Sequence, residues 1–353
     1  MNRIPITILT GFLGAGKTTL LNRLISQPGF GDTAVIVNEF GEAGVDGALV
    51  ADADERAFAM SVGCLCCTIS GDVRLTLLRL LDEAEQGKGP SFDRVVIETT
   101  GLADPLPLLQ TFMTNDYLLG RFTLNGVVTI VDAVNGRDAI DRFTEAQRQV
   151  SVADLLLVTK TELAEDPAAM IADLASKNPT VRIFDADAAT PEIVFSLAAF
   201  DPAGKPPDVR EWLRFGAASP AHDDHDHHHH HDVNNHGDTA TATCFTATEP
   251  VDAWALENAI RALQSSLGPD LLRIKGLVEI SGRPDNPREL HVVGHISGAP
   301  RLLDGWPDGI DATRIVMIVS GPGRAAAADM LRSFLPQLRD FGTEAAEQSA
   351  VPA

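Results

Sequence analysis

The sequence is short of positive charge and contains no long apolar run. Its 353 residues carry 28 Lys and Arg against 49 Asp and Glu, a formal net charge of −21. Such an acidic chain repels nucleic-acid phosphates and anionic membrane surfaces, so we expect neither as a partner. A metal cation or the basic surface of a client protein is a more suitable partner for a chain with this negative charge. No run of about 18 apolar residues occurs, and the first residues lack the pattern of a secretory leader, which predicts a soluble, cytoplasmic protein.

Cysteine is also scarce, and its placement is uneven. Of four cysteines, three lie together at Cys64, Cys66 and Cys67. Neighbouring thiols in a chain without a secretory leader indicate metal binding or redox work rather than a disulfide scaffold. Three thiolates at this spacing can converge on one tetrahedral Zn²⁺ or similar ion, and a fourth position remains for an acid, a His or an incoming ligand. The alternatives are small buried residues in a turn and a redox pair.

Short apolar runs alternate with helix-like segments through the first two hundred residues. The runs are apolar on both faces, as buried parallel strands are. They are Ile6–Leu9, Thr33–Val37, Arg94–Ile97, Val127–Val131, Leu155–Val158 and Val181–Phe184. Helices are expected at Lys17–Ser26 and Val73–Glu85. The predicted fold class is α/β, a P-loop domain with a mainly parallel, doubly wound sheet.

The composition changes after this region. Residues 206–240 are rich in Pro, Asp and His without an apolar period, which is typical of a flexible linker. A smaller α+β domain is expected over residues 241–340, and a disordered tail over 341–353, so that the first domain covers 1–205. Its predicted strands are Cys244–Ala247, Leu272–Ile280, Leu290–His295 and Arg314–Val319, and its predicted helices are Val251–Leu267 and Arg324–Leu338.

The strongest motif is Gly11–Thr18, which fits the pattern G-x-x-x-x-G-K-[ST] between a predicted strand and a predicted helix. Glycines in such a loop let backbone N–H groups turn towards phosphate oxygens, beside the positive end of a helix. The side chain of Lys17 then reaches the β- and γ-phosphates, and the hydroxyl of Thr18 binds Mg²⁺. The predicted contacts to nucleotide in the loop and at the start of the helix are Gly11, Gly14, Ala15, Gly16, Lys17, Thr18 and Thr19.

Two further segments fit a nucleotide site. Glu98 ends a buried strand and is expected to hold the water shell of Mg²⁺. The alternative is an ordinary strand that happens to end in Glu. Gly101 suits a mobile turn near the γ-phosphate. The turn Thr159–Glu162 follows another buried strand. In guanine-specific GTPases, an acid in this turn accepts hydrogen bonds that adenine cannot offer. Lys160 and Glu162 therefore predict GTP rather than ATP, unless they are exposed residues at a helix start.

Eight of the ten histidines lie in one acidic stretch, interleaved with Asp. They are His222, His225, His227, His228, His229, His230, His231 and His236. Neutral imidazoles bind Zn²⁺, Co²⁺ and Ni²⁺, so this stretch is predicted to form weak accessory metal sites. An expression tag is the alternative, although the internal position and the interleaved acids argue against it. His291 and His295 fit strand histidines better than metal ligands.

The sequence resembles the CobW-like metallochaperone GTPases. The matching segments are Gly11–Thr18 with Thr19 following, Asn38–Glu42, Asp46, Gly63–Cys67, Glu98–Gly101, Thr159-Lys160, Leu272–Gly276 and Trp306. The resemblance covers most of the chain apart from the linker and the tail. It implies GTP hydrolysis, with Mg²⁺ as cofactor, coupled to the binding and release of Zn²⁺ or Co²⁺ for a client protein.

The resemblance also implies roles for single residues. Glu39 is expected near the Mg²⁺ or the transported metal, and Asp46 near the attacking water. Glu42 is a candidate for the fourth ligand beside the three cysteines. With Lys17 and Glu98, Asp46 completes the predicted catalytic set. This chain departs from the family at Val62, where many relatives have glycine, and at Glu162, where the usual residue is Asp.

Two other functions remain open on the sequence alone. A passive metal-storage protein with a regulatory nucleotide site would need no coupled turnover. A P-loop small-molecule kinase would leave the three cysteines and the guanine-type turn without a role. The GTP-hydrolysing metallochaperone uses every motif and is the preferred interpretation.

Overall fold

The chain folds into two compact units, one N-terminal and one C-terminal. The structure, a computed structural model, describes residues 3–38, 65–69, 72–197, 240–298, 301–306 and 310–340. Within those ranges, no helix combines the length and the apolarity needed to cross a membrane.

The N-terminal unit is a seven-stranded parallel sheet flanked by helices. Its strands are β1 (Ile4–Gly11), β2 (Thr33–Asn38), β3 (Leu65–Ile69), β4 (Arg94–Thr99), β5 (Phe122–Asp132), β6 (Leu155–Thr159) and β7 (Arg182–Asp185). Its helices are α1 (Lys17–Ile25), α2 (Val73–Glu85), α3 (Pro105–Thr114), α4 (Asp116–Arg121), α5 (Gly136–Arg142), α6 (Thr144–Ser151), α7 (Pro167–Lys177) and α8 (Pro191–Phe195). The strand order is β3-β2-β4-β1-β5-β6-β7, and every pairing is parallel. The predicted doubly wound α/β class is confirmed.

Both faces of this sheet are covered, which explains the continuous apolar runs of its strands. On one face, α1 packs its leucines Leu20, Leu21 and Leu24 against β1, β5 and β6, together with residues of α8. On the other face, α5, α6 and α7 pack against the ends of β5 and β6. Burial of each large apolar side chain stabilises the unit by about 1.5–3 kcal/mol. The sheet is thus a rigid support for the loops at its carboxyl edge.

Strand β3 is not predicted by the apolar pattern, and it carries two of the predicted metal ligands, Cys66 and Cys67. Its backbone pairs with β2, with Cys66 opposite Val35 and Cys67 opposite Ile36. The cysteine motif therefore continues into an edge strand of the sheet instead of lying wholly in a turn. Cys64, Glu39, Glu42, Asp46 and Val62 lie outside the described residues, as do the side chains of Cys66 and Cys67.

The C-terminal unit is an antiparallel sheet with two helices packed on it, which confirms the predicted α+β class. Its elements are β8 (Thr241–Ala247), α9 (Ala253–Leu267), β9 (Leu271–Ile280), β10 (Arg283–Val293), β11 (Ile296–Ser297), β12 (Arg301–Leu302), β13 (Thr313–Val319), α10 (Arg324–Phe334) and β14 (Arg339–Asp340). The strand order is β11-β10-β9-β13-β8-β14, with β12 paired to β10. Leu256, Ile260 and Leu263 of α9 pack on the sheet in one apolar core with Leu331 of α10.

Several boundaries in this unit differ from the prediction. Strand β10 begins at Arg283, well before the predicted Leu290. Strand β8 begins earlier than predicted, at Thr241, and helix α9 begins later, at Ala253. Helix α10 ends at Phe334, and the chain then forms the short strand β14 beside β8. The third predicted strand ends at Val293, because Gly294 adopts φ 56° and starts a turn that contains the exposed His295. His291 lies buried within β10, as expected for a strand histidine. The accessory histidines, most of the predicted linker and the predicted tail lie outside the described residues.

Candidate nucleotide and metal site

The loop between β1 and α1 has the backbone of a phosphate cradle. Gly11, Gly14 and Gly16 all have positive φ angles, of 140°, 73° and 97°, which L-residues with side chains rarely adopt. A Cβ at Gly11 would lie 2.3 Å from the carbonyl oxygen of Ile130, so only glycine fits there. Ala15 has a buried side chain and can contact a ligand only through its backbone. A loop of this shape can direct backbone N–H groups towards phosphate oxygens, and the individual nucleotide contacts stay a prediction.

Lys17 is the first residue of α1 and folds back over this loop. Its Nζ donates hydrogen bonds to the carbonyl oxygens of Gly11, at 2.8 Å, and Phe12, at 3.2 Å. Burial lowers the pKa of the Lys17 ammonium, while the Glu98 carboxylate nearby acts to raise it. The positive charge is thus held inside the loop, where phosphate oxygens would lie.

Thr18 and Glu98 come together although 80 residues separate them. The Thr18 hydroxyl donates to the Glu98 carboxylate oxygen Oε1 at 2.6 Å. Glu98 is 3 % exposed at the carboxyl end of β4, while Thr18 and the following Thr19 are exposed. A hydroxyl and a carboxylate are the oxygen donors that Mg²⁺ prefers. The residues present therefore fit a Mg²⁺ ion at this position.

Gly101 lies against the phosphate loop. A Cβ built on Gly101 would lie 2.7 Å from the backbone nitrogen of Leu13, so this turn touches the loop closely enough to require glycine. The adjoining strands are cross-linked by a buried hydrogen bond between the hydroxyls of Thr99 and Thr10, at 2.8 Å. The turn after β4 and the loop after β1 are thus in direct contact.

The turn after β6 is also fastened to the phosphate loop. The Thr159 hydroxyl donates to the carbonyl oxygen of Ala15 at 2.8 Å, and Lys160 Nζ donates to that of Gly14 at 3.2 Å. Lys160 itself has a left-handed backbone, with φ 57°. Glu162 lies in a single helical turn, Thr161–Leu163, and is exposed, as a residue that contacts a base must be.

Asp132 is a member of this site to which the sequence patterns do not point. It ends β5 with its side chain 8 % exposed and forms a salt bridge with the ammonium of Lys160. Its Oδ1 also accepts from the backbone N–H of Val134 at 2.8 Å. The pKa of Asp132 is lowered: burial, the largest single effect, raises it, but the hydrogen bonds from Lys160, Asn135 and the backbone together outweigh burial. Its position at the end of a buried strand was the available signal, since such ends converge at one sheet edge.

A cavity of about 240 Å³ adjoins the phosphate loop on the side of α5 and α6. Its lining includes Phe12 and Phe143, whose rings are 4.7 Å apart, and the buried Gln149. Among the residues that the structure describes, no group of three or more His, Cys, Asp or Glu is placed to hold a metal ion. The predicted ligands Glu42 and Cys64 and the side chains of Cys66 and Cys67 lie outside the described residues.

A glycine-rich loop between a strand and a helix, a lysine inside it, and an acid on the neighbouring strand define a P-loop nucleotide-binding protein. The family model described as "CobW/HypB/UreG, nucleotide-binding domain" matches residues 5–185, and "Cobalamin synthesis protein cobW C-terminal domain" matches residues 240–335. The chain belongs to this CobW/HypB/UreG family of P-loop GTPases, which confirms the resemblance seen in the sequence.

Two relatives of this chain bear the name zinc chaperone. The chain is 44 % identical over 184 residues to "Zinc chaperone YjiA" of Escherichia coli, covering 52 % of this chain and 58 % of that protein. It is 32 % identical over 374 residues to "Zinc chaperone CobW" of Pseudomonas aeruginosa, covering 94 % of this chain and 92 % of that one. The match to YjiA thus spans little more than half of that relative.

A solved structure extends the likeness to both units. The crystal structure of Zn(II)-bound YjiA GTPase from E. coli has a TM-score of 0.67 to this chain at 31 % identity. The aligned region covers 94 % of this chain and 100 % of the YjiA chain. Each of the two units therefore has a counterpart in a solved GTPase structure.

Proposed function

We propose that this protein is a GTP-hydrolysing metallochaperone that binds Zn(II) and passes it to a client protein. The observation that carries the proposal is the position of the cysteine strand relative to the phosphate site. Cys67 of β3 and Ile97 of β4 both pair with Ile36 of β2, one from each side. Ile97 immediately precedes Glu98. Two strand spacings, about 10 Å, separate these backbones. A metal bound near β3 and a nucleotide bound at Glu98 would thus share one rigid sheet.

Nucleotide hydrolysis is assigned to the phosphate loop and β4. Lys17 offsets the charge on the β- and γ-phosphates, and the glycine loop presents its N–H groups to the phosphate oxygens. Thr18 and Glu98 would hold Mg²⁺, which supplies further positive charge to the phosphates when bound. Glu39 near the Mg²⁺ and Asp46 near the attacking water complete the proposed set, by resemblance to the family.

Guanine selectivity is assigned to the turn after β6. The exposed Glu162 would accept hydrogen bonds from the guanine N1–H and 2-amino groups. Lys160 is held between Gly14 and Asp132, so its aliphatic chain is fixed beside the loop. Because Glu162 is one methylene longer than Asp, the base must sit correspondingly further from the backbone of this turn.

The transported metal is assigned to the cysteine motif. Cys64, Cys66 and Cys67 would bind it as thiolates, with Glu42 as the fourth ligand. The names of the relatives favour Zn(II), and Co(II) is the other ion that suits this ligand set. The histidines at 222–236 would collect metal weakly, and the recipient is a metal-dependent protein.

The proposal is tested by the turnover of GTP and ATP by the purified chain, with and without Zn(II). We expect hydrolysis of GTP in strong preference to ATP, and a GTP rate that changes when Zn(II) is added. The variant in which Cys64, Cys66 and Cys67 are all serine should lose that response while it still hydrolyses GTP. A GTP hydrolysis rate that does not change with Zn(II) would support a passive metal buffer. Equal hydrolysis rates for GTP and ATP would show that Glu162 does not select the base.

A further inference from the structure

The turn from Gly101 to Asp104 connects β4 to α3 beside the phosphate loop. Its shape is fixed locally by a hydrogen bond from the Ala103 N–H to the Thr100 carbonyl, at 3.1 Å. Asp104 then caps α3 by accepting from the N–H of Leu106 at 3.0 Å. On its inner side the turn abuts Leu13, as the absence of room for a Cβ at Gly101 requires.

Two consecutive residues of α6 hold this turn from its other side. The amide Nε2 of Gln149 donates to the carbonyl oxygens of Gly101, at 3.2 Å, and Ala103, at 3.0 Å. Arg148 Nη1 donates to Asp104 Oδ2 at 2.5 Å, and both of these side chains are 23 % exposed. Gln149 is 1 % exposed, so water does not compete for its amide.

Helix α6 is itself fixed to the sheet and to the phosphate loop. The Thr129 hydroxyl on β5 donates to the backbone carbonyl of Gln149 at 2.7 Å. At the start of the helix, the ring of Phe143 packs on Phe12 of the loop. The helix therefore contacts both segments that flank the expected position of the γ-phosphate.

We propose that Arg148 and Gln149 are positioning residues, which clamp the turn 101–104 in the orientation from which it responds to the γ-phosphate. A trans peptide directs its C=O and N–H to opposite sides. The bond from Gln149 to the Gly101 carbonyl therefore also points the N–H of Leu102 away from α6. Loss of the clamp frees these peptides to rotate, so the turn discriminates less well between nucleotides with and without that phosphate. This inference rests on the proposed GTPase function.

The test compares Gln149→Leu and Arg148→Met with a control, Gln147→Leu. Gln147 is buried in the same helix, two residues earlier. Among the described residues its Oε1 accepts no hydrogen bond, so its side-chain oxygen does not hold the turn. We would measure affinities for GDP and for a non-hydrolysable GTP analogue, together with deuterium exchange of peptides that cover residues 99–106. Both clamp variants should exchange faster in these peptides and lose roughly 5–30-fold of the preference for the analogue, since each loses one or two net hydrogen bonds. The control should keep the wild-type ratio and exchange, even if its melting temperature falls.

Wild-type exchange and an unchanged affinity ratio in both folded clamp variants would overturn the inference. Arg148→Met keeps the test decisive if Gln149→Leu does not fold, because Arg148 is only partly buried. Failure of the proposed function has a different signature, since the wild-type chain would then hydrolyse no GTP. Deuterium exchange does not require GTP hydrolysis. It therefore tests the role of Arg148 and Gln149 whether or not the chain is a GTPase.

Discussion

At the scale of single residues, charge placement decides how the nucleotide site works. Lys17 is held inside the phosphate loop by two carbonyl oxygens, and Asp132 holds Lys160 beside the same loop. Both ammonium groups are thus oriented by the protein itself. Neither side chain must be reorganised far to meet a nucleotide, which is the arrangement that electrostatic stabilisation requires.

Replacing Lys17 should abolish most turnover. In Lys17→Ala, the charge that offsets the β- and γ-phosphates is lost, and we expect the GTP hydrolysis rate to fall by about 100-fold or more. Lys88→Ala is the matched control, because Lys88 is an exposed lysine in the loop that follows α2. Steady-state phosphate release measures both. Undiminished hydrolysis in Lys17→Ala would refute the assignment of the phosphate loop.

Asp132 should make stability depend on acid pH. Because its folded-state pKa lies below the unfolded value of about 3.9, the ionised carboxylate stabilises the fold above that pH. The contribution fades as the pH falls through the lower folded-state value. Asp132→Asn should therefore cost about 1–3 kcal/mol near pH 7, and the difference from wild type should shrink below about pH 4.

Urea unfolding midpoints between pH 7 and pH 3 would measure this difference. Asp138→Asn is the control, since the salt bridge between Asp138 and Arg142 is exposed and should contribute little. A difference between Asp132→Asn and wild type that stays constant down to pH 3 would contradict the account.

At the scale of elements, the strands with continuous apolar runs are predictable and the polar elements are not. Strands β1, β2 and β4 to β6 have mostly buried side chains, so their apolar composition is sufficient to predict them. The edge strand β7 is predicted from the same apolar pattern, although its side chains are only partly buried or exposed. The sequence does not predict β3 as a strand. The cysteines of Leu65–Ile69 are interpreted as metal ligands, and the run of residues around them is not recognised as a strand. Helix α6 buries the polar Gln147 and Gln149, which hides its apolar period. The hydrogen bonds from Arg148 and Gln149 to the turn 101–104 therefore could not be predicted from the sequence and are found only in the structure.

The histidine-rich segment is expected to act separately from the tight metal site. Deleting His222–His236 should lower the number of bound Zn(II) ions without altering the affinity of the tightest site or the rate of GTP hydrolysis. The reason is composition, since this segment has no apolar period with which to pack. Equilibrium dialysis and phosphate release are the measurements. Loss of the tight site on deletion would assign that site to the histidines and not to the cysteines.

At the scale of the whole molecule, the parallel sheet joins the two proposed activities. The cysteine strand, β2 and β4 are neighbours in one hydrogen-bonded array, and the phosphate loop follows the next strand, β1. In the proposed cycle, a nucleotide that orders the segments at the ends of these strands would change the geometry around β3. By linkage, metal must then change nucleotide affinity by the same factor that nucleotide changes metal affinity.

The most direct test of the chaperone cycle is titration of Zn(II) and Co(II) into the protein against a competing chelator, in the presence of GDP or a non-hydrolysable GTP analogue. The account predicts different metal affinities in the two nucleotide states, by roughly 5–150-fold, as couplings of about 1–3 kcal/mol give. The variant with Cys64, Cys66 and Cys67 replaced by serine should lose the tight site together with this difference. Identical metal affinities with both nucleotides would contradict the account, because binding of GTP would then have no effect on the metal.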